Sequence, residues 1–112
     1  MGIALDYQLH RTSVDIAKGY RQLEKAATAL SKGKVDIVSL HLTHALSDFS
    51  TAVDHAAKAE DDTCIAAGKA VDKGNAELQK SIDAYADGKV DSAQSYYDQA
   101  ADSYDKALDL IG

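Results

Sequence analysis

Three histidines, at positions 41, 44 and 55, and Asp48 between them mark the stretch HLTHALSDFSTAVDH. Imidazole nitrogens and carboxylate oxygens are the usual ligands of zinc, nickel and copper. On a helix, side chains three, four and seven residues apart share one face and can converge on one ion. His41, His44 and Asp48 have that spacing. Folding the first two helical segments back to back about Gly33 sets residue i beside about residue 65 − i, so His10 is expected level with His55. The metal reading therefore comprises His41, His44, Asp48, His55 and His10, as two half-sites and without an HExxH motif or a cysteine pair.

Other site chemistries fare worse. A carboxylate-bridged di-iron bundle needs Glu-x-x-His on two helices, and none of Glu24, Glu60 and Glu77 has a histidine three residues on. Met1 is the single methionine, which leaves a b-type haem without a second axial ligand. Cys64 is the single cysteine, so neither an internal disulfide nor a CxxC motif is available, and its position on an apolar stripe reads as inert packing. The heptapeptide HALSDFS resembles the phosphoacceptor motif of histidine-containing phosphotransfer domains at His44, Leu46 and Ser50. Ser47 and Asp48 stand where that motif has lysine and glycine, which removes a phosphate-attracting cation and adds a repelling carboxylate. No cofactor and no enzymatic activity are expected.

These residues must be carried by helices. The 112 residues contain no proline and few strand formers, and they suffice for one domain, 1–112, with one core. Residues 18–36, KGYRQLEKAATALSKGKVD, align without gaps on residues 73–91, KGNAELQKSIDAYADGKVD. The chain reads as a duplicated helical hairpin, with repeats over approximately 5–57 and 63–112 at an offset of 55. Apolar residues step by three and four along each segment: Leu5, Leu9, Ile16, Tyr20, Leu23, Ala27 and Leu30; then Val35, Val38, Leu42, Ala45, Phe49, Ala52 and Ala56. The second copy continues with Cys64, Ala67, Val71, Leu78, Ile82 and Tyr85, then Val90, Ala93, Tyr97, Ala100, Tyr104, Ala107 and Ile111. Gly33 and Gly88 mark the corners. The middle break has only Asp61, Asp62 and Thr63 as candidate N-caps; the alternative is one continuous helix there and two chains exchanging hairpins. The expected fold is all-α, an antiparallel up-down-up-down four-helix bundle. Gly19 and Gly74, at equivalent mid-helix positions, imply close helix contact that offsets about 1 kcal/mol each.

The two copies differ on their outer faces. Ile37, Leu40, His41 and His44 correspond to Ser92, Ser95, Tyr96 and Gln99. Exposing two branched aliphatics side by side gains a solvated helix nothing, and apolar surface of that kind marks a contact. Ile37, Leu40, His41 and His44 are therefore the expected interface, with a homodimer or another protein as partner. A net charge of −6 without a Lys/Arg run opposes nucleic acid. The start MGIALDYQLH lacks a basic lead and an apolar run, and no apolar segment approaches the ~18 residues a membrane span requires. A cytoplasmic protein without membrane contact is expected.

Overall fold

The computed structural model describes residues 2–59 and 62–111, with side chains from His10 onward. Four α-helices follow one another, α1 (Gly2–Ser31), α2 (Val35–Ala57), α3 (Asp62–Ala86) and α4 (Val90–Ile111), with no strand among the described residues. Helices α1 and α2, α2 and α3, and α3 and α4 pack against each other, forming an all-α four-helix bundle. Helices α2 and α3 are separate and in contact, since a Cβ built on Gly68 would lie 2.7 Å from the Ala56 Cβ. The continuous middle helix is thus not adopted. Glu60 and Asp61, the latter a candidate cap, lie outside the described residues.

Both corners are built alike. Gly33 and Gly88 adopt φ of 72° and 76°, left-handed backbone that glycine enters without a Cβ clash. Gly33 N–H donates to the Leu30 carbonyl and Lys34 N–H to the Ala29 carbonyl, each at 2.9 Å; Gly88 and Lys89 repeat this on Tyr85 and Ala84. This paired closure satisfies carbonyls that the helix end would otherwise leave without donors. Beyond the corners, contacts join rising residue numbers to falling ones: Asp15 to His55, Gly19 to Phe49 and Gln22 to His41 across α1 and α2. Across α3 and α4 the pairs are Asn75 with Tyr104, Ser81 with Ala93 and Tyr85 with Gln94.

The core follows the apolar stripes of α2 closely, with Val38, Leu42, Ala45, Phe49, Ala52 and Ala56 all buried. In α1 the core takes Ile16, Leu23, Ala26 and Ala29, whereas Ala27 is exposed. Adjacent alanines are both small enough for the stripe, and helix rotation chose Ala26. Leu5 and Leu9 have side chains outside the described set. Val90, the first residue of α4, is also exposed, while Cys64, Ala67, Val71, Leu78 and Tyr85 are buried as expected.

Aromatic rings fill the middle layer. Phe49 and its counterpart Tyr104, 55 positions on, stack with centroids 3.6 Å apart and planes at 12°. Tyr20 meets both edge-on at 6.2 and 6.4 Å, a favoured aromatic geometry. The stack explains both mid-helix glycines, because a Cβ at Gly19 would come within 2.5 Å of the Phe49 ring and one at Gly74 within 2.6 Å of the Tyr104 ring. The contact between α1 and α4 is thinner and is bridged by phenols. Tyr97 donates to the Leu23 carbonyl at 2.9 Å; Tyr20 donates to the Asp105 carboxylate, with the Ala101 carbonyl 3.1 Å away.

Candidate functional site

The boundary between α1 and α2 receives the histidines one by one. His41 Nδ1 donates to Gln22 Oε1 at 3.0 Å, and His44 is exposed one turn further on. Asp48 is half-buried. His55 Nε2 lies 3.6 Å from Asp15 Oδ2, so Asp15 occupies the level at which His10 was expected. Asp15 is only 3 % exposed, and Thr12 and Cys64, both fully buried, lie one layer away with Sγ 3.8 Å from Oγ1. His10 is exposed. Among the described residues no three His, Cys, Asp or Glu side chains gather closely enough to hold a metal ion. Helix α1 presents an amide to His41 and a carboxylate to His55, 14 residues further along α2.

Ile37 and Leu40 are 39 % and 53 % exposed, as the outward reading of α2 requires. Beside them runs a groove of about 500 Å³ between α1 and α2, lined by Ile37, His41 and Ala29 and by Arg21, Lys25, Lys32 and Lys34, with Glu24 the one carboxylate. Among the described residues none of these four cations has a carboxylate within 4 Å. No run of basic residues announces this cluster. Arg21 and Lys25 share a face of α1 by their spacing of four, and Lys32 and Lys34 join them from the corner, where the chain turns at Gly33.

The second hairpin carries the same groove at the same place. Lys80, Asp83, Ala84, Asp87, Lys89, Ser92 and Tyr96 line it, each 55 positions beyond Lys25, Thr28, Ala29, Lys32, Lys34, Ile37 and His41 in turn, and its volume is about 280 Å³. Its electrostatics differ. Lys80 lies 3.6 Å from Glu77 and 5.7 Å from the centre of the Tyr96 ring, and within the groove Asp83 and Asp87 equal Lys80 and Lys89 in number. The first groove is cationic and apolar where the second is balanced and hydroxylated.

A third recess, about 290 Å³, opens at the corner end between Ala26, Leu30, Val38, Tyr85, Gln94 and Tyr97. Burial raises the Tyr85 and Tyr97 phenols above their ordinary value, so both are neutral donors near neutral pH. Cys64 is fully buried and touches Thr12, which gives a thiol no access to an external substrate. No described helix is long and apolar enough to cross a membrane. No family model, curated protein or solved structure matches the chain.

Proposed function

We propose that the protein is a non-enzymatic helical bundle that acts by association, with a second copy or another protein, through the outer face of α2. One observation carries this reading. Two equivalent grooves share a backbone and a set of positions, yet the first sets exposed Ile37, with exposed Leu40 beside it, among four cations without carboxylate partners among the described residues, where the second has Ser92 and Ser95 and matches its two lysines with Asp83 and Asp87. Folding alone gives no reason for that difference, since both faces point outward and the core contacts beneath them repeat. Desolvating two branched aliphatics at about 25 cal/mol per Å² rewards a partner that covers them. Four cations around them select its charge. A doubled hairpin whose halves diverged in surface and kept their corners accounts for both the likeness and the contrast. The metal reading draws no support of this kind, because His41 and His55 turn to separate partners and no three of its candidates gather among the described residues.

Sedimentation of the wild type, of Ile37→Asp/Leu40→Asp and of the equivalent Ser92→Asp/Ser95→Asp tests the reading. Association lost in the first variant and kept in the second is the expected result. Equal behaviour of the two variants contradicts it.

A further inference from the structure

Given the outer face of α2 as the contact surface, we propose that its occupant is α4 of a second copy of this chain, whose aspartates meet the cations of the groove. Helix α4 exposes Asp91, Asp98, Asp102, Asp105 and Asp109, spaced by seven, four, three and four residues so that they form one stripe. Among the described residues none of the five has a Lys, Arg or His within 4 Å. Asp98 accepts from Gln94, and Asp105 accepts from Tyr20. The chain is polarised as a whole: residues 1–60 hold seven basic and seven acidic side chains, residues 61–112 five and eleven. A groove with four cations to one carboxylate, and a stripe of five carboxylates from which Lys73 and Lys106, sharing a recess with Asp102, stay more than 4 Å away, repel within each row and attract between copies.

The rows also match in pitch. Counted in falling order, Asp102, Asp98 and Asp91 are spaced by four and seven, as are Arg21, Lys25 and Lys32 in rising order. Both patches border α1, the groove on its α2 side and the stripe on its α4 side, where Tyr20 reaches Asp105 and Tyr97 reaches the Leu23 carbonyl. Those same bonds set Asp98 and Asp102 level with Arg21 and Lys25. A two-fold axis running along the bundle in front of α1 therefore brings each groove to the other copy's stripe, at matching height, twice. Such a contact is self-complementary and closes as a dimer.

The test uses Arg21→Glu/Lys25→Glu and Asp98→Lys/Asp102→Lys in the full chain, with circular dichroism to confirm folding and sedimentation to read subunit number. The wild type is expected to dimerise, with a dissociation constant rising about tenfold between about 50 and 500 mM salt as the Debye length shortens. Each reversed variant alone is expected to be a monomer, and their equimolar mixture a dimer. Should a reversed chain fail to fold, Arg21→Gln/Lys25→Gln and Asp98→Asn/Asp102→Asn are expected to weaken the dimer in the same direction. A wild-type monomer at about 100 μM and low salt, where millimolar contacts begin to register, or a mixture that stays monomeric, overturns the proposal. A dimer that Ile37→Asp/Leu40→Asp abolishes but both charge reversals leave intact removes α4 as the occupant, while the outer face of α2 stands.

Discussion

Gly19→Ala is the sharpest probe of the bundle's middle layer, because two opposed effects act on one atom. Glycine inside a helix costs about 1 kcal/mol relative to alanine, so propensity alone predicts a gain of that size. The new methyl, however, would lie 2.5, 2.6 and 2.8 Å from Phe49 Cζ, Cε1 and Cδ1, against ordinary contact of 3.4 Å or more. The ring must retreat by about 1 Å, the difference between those distances and normal packing. Tyr104 is stacked at 3.6 Å behind it and Tyr20 abuts its edge, so retreat displaces three rings. Overpacking of that kind costs about 1–3 kcal/mol, and with the ring held on two sides the upper part of the range applies. A net loss of about 1–2 kcal/mol follows, which lowers Tm by roughly 4–10 °C for a domain of this size. Gly74→Ala is expected to behave alike, since its Cβ meets the Tyr104 ring at 2.6 Å and also presses on the Tyr104–Asn75 hydrogen bond. Urea unfolding followed by far-ultraviolet dichroism reads both. In Gly19→Ala/Phe49→Leu the two substitutions should couple by about 1 kcal/mol, because a smaller side chain makes room. An alanine at 19 that stabilises by the full propensity gain, with no coupling to 49, would refute the close approach of α1 to the ring stack.

Alkaline pH tests the same layer from another side. Burial raises the phenols of Tyr104 and Tyr20, the latter also through its bond to Asp105. A phenol whose folded-state value lies above the unfolded value of 10 contributes its stability fully below pH 10. Above pH 10 the unfolded chain releases the proton first, so stability should fall by about 1.4 kcal/mol per pH unit for fully buried Tyr104. Titration at 295 nm in native and urea-unfolded protein checks this, and coincident curves would contradict it. His55→Ala leaves the Asp15 carboxylate, 5 % exposed in its side chain, without the imidazole 3.6 Å away, and a loss of about 2 kcal/mol is expected in thermal unfolding at neutral pH. Ile37→Asp/Leu40→Asp should leave thermal stability within about 0.5 kcal/mol, because both side chains are exposed, so that any loss of association in that variant is a surface effect.

Much of the fold is legible in the residues themselves. Helix periodicity, the two Gly-Lys corners and the recurrence at 55 positions locate four helices, and strongly apolar α2 fixes its own rotation through Val38, Leu42 and Phe49. Alanine carries less rotational information, which is why Ala27 and Ala26 exchange roles in α1. Thr12 sits on the stripe three residues after Leu9 and four before Ile16 and is hidden from an apolar pattern by its hydroxyl, whereas the burial of Asp15 depends on His55, a partner 40 positions away that no local pattern reveals. The outward placement of Ile37 and Leu40 follows from comparing residues 37–44 with residues 92–99. The cationic groove beside them does not, since its cations come two from α1 and two from the corner and its apolar wall from α2.

The outer face of α2 as the contact surface is tested most directly by methyl spectra of Ile37 and Leu40 recorded over a dilution series at low salt. Those two signals should shift together with concentration, while the buried Leu23 and Leu78 hold still and the backbone amides of Ser92 and Ser95 do not follow. Signals of Ile37 and Leu40 that stay fixed across the series while Ser92 and Ser95 move would contradict the account.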